Sequence, residues 1–176
     1  GKGYALKQGF RKAIELGFEY ALTIDSDGQH YPEDIPLLID AIKKHPGSMI
    51  IGSRKLTSEN VPGKNKFANK FSNFWFRLQT HINLPDTQTG FRIYPLNKLY
   101  GLSLLTSRYE AELLLLVLAA WHNVPLLPVD IRVYYPPKEE RVSHFRPALD
   151  FTRISILNTI LCVGAIIYGY PMMYWS

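Results

Sequence analysis

Apolar residues at Leu6, Phe10, Ala13, Ile14 and Gly17 recur at helical spacing, with Lys7, Arg11, Lys12 and Glu15 opposite them. This predicts an amphipathic helix that ends at Gly17. A short apolar run over 20–24 reads as a buried strand. Pro32-Glu33-Asp34 then starts a helix: Pro suits the first turn, and both acids complement the positive end of its dipole. That helix is expected to turn Ile35, Leu38, Ile39 and Ile42 inward and to stop near His45-Pro46-Gly47. Residues 48–52 form the next strand, with Ser53, Arg54 and a polar loop beyond it. Over 66–81 the spacing is again helical, with Phe67, Phe71, Phe74 and Leu78 on one side, and the aromatics Phe67, Phe71, Phe74 and Trp75 read as core and interface packing. A strand over 91–94, an apolar helix over 110–121 and an alternating strand over 128–134 complete the pattern. Alternating helices and strands predict an α/β domain with a mostly parallel, Rossmann-like sheet flanked by helices.

The 176 residues suffice for one domain that buries about two thirds of its unfolded surface. Twenty Lys and Arg against fifteen Asp and Glu give a net charge of +5, which favours anionic partners such as phosphates or an acidic membrane face. Nucleic acid would suit a pI near 9.3 as well, but the basic residues lack an aromatic-interleaved strand pattern, so none is expected as a partner. The single cysteine, Cys162, excludes an internal disulfide and fits a reducing compartment. Beginning at Gly1, without Met or a signal-peptide pattern, the chain reads as a fragment.

Directly after the first strand comes Asp25-Ser26-Asp27-Gly28-Gln29-His30. Open α/β sheets bind ligands beyond the carboxyl ends of their strands. Two carboxylates two residues apart can be aimed by one turn, and oxygen ligands suit Mg²⁺ or Mn²⁺. Gln29 offers a further oxygen or a hydrogen bond, and Gly28 lets the backbone bend. The same residues also make an Asx turn leading into the Pro32 helix, and the short motif alone leaves both readings open.

Its company narrows the choice. Gly1-Lys2-Gly3-Tyr4-Ala5-Leu6 through Gly9, Asp25-Ser26-Asp27-Gly28-Gln29-His30 with Pro32-Glu33-Asp34, Gly52-Ser53-Arg54, and Asp86-Thr87-Gln88-Thr89-Gly90-Phe91-Arg92 stand in order along residues 1–146. This set resembles glycosyltransferase family 2, the GT-A-fold enzymes, in its polyprenyl-phosphate, dolichol-phosphate mannose synthase-like branch. The resemblance implies that Asp25 and Asp27 hold a divalent cation, Mg²⁺ or Mn²⁺, on a sugar nucleotide's diphosphate. Gln29 and His30 would assist, and Arg54, Lys66 and Arg141 would bind phosphate. It gives Asp86 and Arg92 places near the acceptor, Asp86 for positioning or electrostatics before base catalysis. Taken alone, Asp86 equally reads as a turn cap, and the Arg141–Arg146 stretch as a solvated loop. Lys66 stands where relatives carry Arg, and the 141–146 stretch lacks the family's Gly and final Lys. The resemblance also implies that the strand, loop and helix that hold the nucleotide base lie outside this chain. Glu110 and Glu112, opening the apolar helix, read as dipole partners.

From Ile154 onward no residue is charged. One helix over 151–170 would be roughly 30 Å long, enough to span a hydrocarbon core. Arg153 at one end and Tyr168, Tyr170, Tyr174 and Trp175 at the other are residues that membrane interfaces attract. Spanning, interfacial and buried placements all fit this pattern, and the resembled branch favours membrane association. The expected organisation is therefore a partial GT-A catalytic domain over 1–149 and an apolar membrane-associated helix over 150–176. The expected function is metal-dependent, inverting transfer of a hexose from a nucleoside-diphosphate sugar to a polyprenyl phosphate, at the cytoplasmic face of a membrane. Transfer to a glycan hydroxyl, or a non-catalytic membrane scaffold that keeps the fold, are the alternatives.

Overall fold

In the computed structural model, residues 2–55, 63–99, 101, 110–135 and 147–176 are described. Helix α1 (Lys2–Glu15) ends as expected: Gly17 takes a φ of 82°, and the amides of Gly17 and Phe18 close onto the Ile14 and Ala13 carbonyls. Strand β1 (Tyr20–Thr23) follows, then a 3₁₀ turn over Pro32–Asp34 and helix α2 (Ile35–Lys44). Strand β2 (Met49–Arg54) and helix α3 (Gly63–Thr80) lead to β3 (Arg92–Pro95) and the single turn α4 (Leu96–Leu99). Helix α5 (Glu110–Trp121) and strand β4 (Leu126–Ile131) complete the layered part. At the C-terminal end α6 (Pro147–Gly164) continues through a π-helical turn (Ala165–Gly169) into α7 (Tyr170–Trp175).

The α/β class and the flanking helices match the expectation, but the sheet is mixed where a mostly parallel one was expected. Strand order is β1-β3-β2-β4; β3 runs antiparallel to both neighbours, and only β2 and β4 pair in parallel. The α2 crossover does make β1 and β2 run the same way. However, β3 inserts between them in reverse, because it begins at the end where they finish: the Gly52 amide donates to the Phe91 carbonyl at 2.8 Å, and the Thr23 hydroxyl to the Gly90 carbonyl at 2.7 Å. A four-residue apolar strand reads the same in either direction, so its pattern carries no orientation.

Alternation along β2 divides the core between two faces. Met49 and Ile51 join α5, Phe76 of α3 and Leu157, Leu161 and Ala165 near the C-terminus; Ile50 joins Leu38, Phe91, Ile93 and Ile131 on the α2 side. Helix α5 is buried nearly all round, which explains its unbroken apolar run. Leu38 is fully buried on α2, whereas Ile39, expected inward, is exposed. On α3 the expectation is reversed. Asn69, Phe76, Gln79 and Thr80 form its buried face, and Phe67, Phe74 and Leu78 point outward. The inward face is chosen by polar partners: the Gln79 side-chain amide donates to Asn158 Oδ1 at 3.0 Å, and its backbone carbonyl accepts from the Trp121 indole at 2.8 Å. The C-terminal helices rest on the domain along one face, with Gly164 and Gly169 against the Trp121 ring, where a Cβ at Gly169 would lie 2.4 Å from it.

Candidate active site

The fold brings the ends of β1, β2 and β4 and the beginning of β3 to one edge of the sheet. Asp25 follows β1 by two residues, and its carboxylate lies directly on Gly90, just before β3; a Cβ at Gly90 would fall 2.5 Å from either oxygen. Glycine is needed there because the carboxylate occupies the space of a side chain. The Lys2 ammonium at the start of α1 reaches Asp25 Oδ1 at 2.5 Å and Glu112 Oε2 at 2.7 Å. His30 Nε2 is 3.8 Å from Asp25 Oδ2, its ring tilted against Phe91. Burial works against ionisation of Asp25, but His30 and Lys2 together outweigh it and hold the carboxyl well below the usual range.

Asp27 is exposed, and its Oδ1 accepts from the Gln29 amide at 3.0 Å, the bond of an Asx turn, with Gly28 at a φ of 74°. Beyond β4 the chain holds this loop in place: the Tyr134 amide donates to the Gln29 carbonyl, and Val133 bridges His30. Asp34 does not serve mainly as a helix-dipole acid. It is buried and accepts from the Arg132 amide and guanidinium at 2.6–2.9 Å, which ties the turn after the Asp25–His30 loop to the end of β4. Burial would raise the Asp34 carboxyl, but Arg132 more than offsets it and lowers it.

The second cluster joins the end of β2 to the loop before β3. Asp86, fully buried, accepts from Arg54 Nε at 2.6 Å, Arg54 Nη2 at 2.9 Å, the Arg54 amide at 3.2 Å and the Gln88 amide at 3.1 Å. The buried side of α3 fixes this loop: Asn69 and Asn73 both donate to the Pro85 carbonyl at 2.9 Å, and the Thr87 hydroxyl meets Ser72 and Asn73. Burial works against the Arg54 charge, but Asp86, with smaller contributions from Tyr135 and Asp25, outweighs it. The Tyr135 phenol lies within electrostatic reach of Arg54 and Asp86, and burial pushes it up so that it stays protonated.

Arg92 departs from expectation. It is fully buried, donating from Nη1 to the Glu112 carbonyl and from Nη2 to the Thr87 carbonyl, so it braces the Asp86 loop against α5 rather than facing a phosphate. Lys66, on α3, is partly exposed, three residues before Asn69. Arg141 and the 136–146 loop lie outside the described residues. Two site residues take roles that their sequence setting does not announce. Lys2 belongs to the first motif, and Glu112, expected as a dipole partner, is a buried carboxylate held by Lys2. The signal was available: an acid two positions into an otherwise buried helix needs a cation.

The chain matches the family described as Glycosyl transferase family 2 over residues 1–100. It is 34% identical over 140 residues to a UDP-N-acetylglucosamine–dolichyl-phosphate N-acetylglucosaminyltransferase of Methanococcus voltae, covering 77% of this chain and 56% of that protein. Likewise it is 31% identical over 107 residues to an undecaprenyl-phosphate mannosyltransferase of Micrococcus luteus (59% of this chain, 43% of that one). To a polyprenol monophosphomannose synthase of Mycolicibacterium smegmatis it is 30% identical over 97 residues, 53% of this chain and 36% of that one. The chain thus spans about half the length of the curated relatives it matches, or less.

Proposed function

The chain belongs to glycosyltransferase family 2, and on that premise we propose that it transfers a hexose, with inversion, from a nucleoside-diphosphate sugar to a polyprenyl phosphate at the cytoplasmic membrane surface. The acceptor class is supported by the relatives' names, which share a polyprenyl-type lipid while their sugars differ. The observation that carries the reading is the Asp86–Arg54 clamp. With both oxygens engaged by N–H donors, Asp86 is built to hold a cation and not to abstract a proton. A phosphate acceptor is already ionised and needs no base, whereas a glycan hydroxyl does. Arg54 holds its guanidinium in a fixed position through Nε and Nη2, and a guanidinium so fixed is suited to a phosphate contact. Holding the acceptor in line is then the chief task of the chain.

A divalent cation fits the residues present. Asp25 is held ionised and already takes a cationic partner in Lys2, and Asp27, two residues on, offers a second carboxylate from the exposed Asx turn. Among the described residues no group of three His, Cys, Asp or Glu stands together, so Mg²⁺ or Mn²⁺ would have to complete its shell with phosphates and water. When bound, the cation would offset negative charge on the departing diphosphate. Lys2, braced by Glu112, keeps a positive charge at the same edge. The reading is tested by supplying membranes containing the intact protein with labelled UDP- and GDP-sugars and polyprenyl phosphate. A mild-acid-labile lipid-linked monosaccharide is expected, and labelling of glycan hydroxyls alone would favour the other acceptor.

A further inference from the structure

Lys2 is shared by two carboxylates of unequal standing. Its ammonium lies 2.5 Å from Asp25 Oδ1 and 2.7 Å from Glu112 Oε2. The Glu112 side chain is 9% exposed, whereas those of Asp25 and Lys2 are 25% and 28% exposed. Glu112 is also fixed by its backbone: its carbonyl accepts from Arg92 Nη1 at 3.1 Å, and Ala111 and Leu114 in the same turn are buried. A carboxylate so placed is costly without a cation. Its second oxygen, Oε1, is buried with no hydrogen-bond partner among the described residues. Glu112 therefore has more capacity for the ammonium than Lys2 takes up while shared with Asp25.

Of the three groups, Lys2 is the one built to change partners. Asp25 is backed by Gly90, with no room for even a Cβ between them. Glu112 belongs to a helix buried nearly all round. Lys2 stands in the first turn of α1 on a flexible four-carbon stem, and its three N–H donors turn to suit their acceptors. Two positive charges on one carboxylate repel each other at contact distances, so an ammonium on Oδ1 and a divalent cation at Asp25 compete.

We propose that Lys2 is a tethered stand-in for the divalent cation: it neutralises Asp25 in the unloaded site, and on loading it leaves Oδ1 and is retained by Glu112, through Oε1 as well as Oε2. Glu112 is thus a positioning residue for Lys2, and it tunes cation affinity without touching the cation. The proposal rests on the reading of Asp25 as a cation ligand, and its test separates the two. Mn²⁺ alone is titrated into the intact protein in detergent, with neither donor nor acceptor, and the free ion is read by its paramagnetic resonance signal. Asp25→Asn should lose binding. Glu112→Gln, which leaves Asp25 as the carboxylate that holds Lys2, should weaken Mn²⁺ binding about tenfold. Adding Lys2→Met to Glu112→Gln should reverse the sign and bind Mn²⁺ about tenfold more tightly than the parent. The double variant leaves no buried carboxylate unpaired at position 112, so its fold is kept. A purely structural role for Glu112 predicts weaker binding in both variants. A double variant that binds no more tightly than Glu112→Gln would overturn the proposal and leave the cation site standing. Undiminished binding by Asp25→Asn would overturn the proposal together with the cation reading beneath it.

Discussion

Arg54 and Asp86 form a bidentate pair, Nε to Oδ2 at 2.6 Å and Nη2 to Oδ1 at 2.9 Å, between residues 32 positions apart at the meeting of β2 and the loop before β3. Removing either partner leaves the other charge buried, so each changes the site as well as its own contact. Asp86→Asn and Arg54→Lys should each lower kcat/KM for the acceptor about a hundredfold, and the double variant should be scarcely worse, because the two act as one unit. Kinetics of the four proteins, with acceptor and donor varied separately, measure this. Additive losses would mean that Asp86 acts apart from Arg54, as a base would.

Asp25 and Asp27 are expected to matter through the cation. Asp27 is exposed and its one described bond is local, so Asp27→Ala should fold normally and still lose about a hundredfold or more in turnover. Circular dichroism and a Mg²⁺ or Mn²⁺ titration of the rate provide the check. A wild-type rate from this variant in chelator-treated buffer would remove the metal from the account.

Gly90 makes a sharper test of geometry. The atoms a new methyl group would meet belong to the Asp25 carboxyl group, which Lys2 and His30 hold in place. Gly90→Ala should therefore cost more in stability than the roughly 1 kcal/mol of a displaced rotamer, because Asp25 must also leave Lys2. Its activity should fall about as far as that of Asp25→Asn. Unfolding curves set beside rates separate the two effects; a stable, fully active variant would show that the Asp25 position is unimportant.

Asp34 gives a pH prediction. Arg132 lowers its folded pKa below the ordinary 3.8, so its contribution to stability is complete above that value and disappears as pH falls through the folded value. Asp34→Asn should lose stability at neutral pH and show a shallower decline below about pH 4 than the parent. Denaturant midpoints between pH 2 and 7 would reveal it, and parallel curves for the two proteins would contradict it.

Much of this molecule could be read from its sequence, for physical reasons that also mark where reading stops. Helical period and Gly17 mark the first helix, and short apolar runs between turn residues mark the strands at 20 and 49. The direction of β3 was hidden because four buried residues carry no sense of orientation. On α3 the apolar line suggests the packing face, yet the core side holds Asn69, Phe76, Gln79 and Thr80, and the partners of Asn69 and Gln79 lie further along the chain. Hydrophobicity alone cannot separate a face turned to the core from one turned outward. Asp25 was found from its motif, whereas its close neighbours Lys2, Glu112 and Gly90 come from three distant segments that only the fold unites. Arg92 differs from expectation for a similar reason: a guanidinium can spend its Nη donors on buried carbonyls as well as on a phosphate.

The central claim is transfer to a lipid phosphate, and a direct acceptor comparison tests it best. Membranes containing the intact protein would receive one labelled nucleotide sugar with either a polyprenyl phosphate or the matching polyprenol, which offers a hydroxyl in its place. Sugar transfer to the phosphate is predicted, with none above background to the alcohol, and Arg54→Lys should weaken saturation by the phosphate. Equal labelling of the alcohol, or transfer unaffected by Arg54→Lys, would contradict the account.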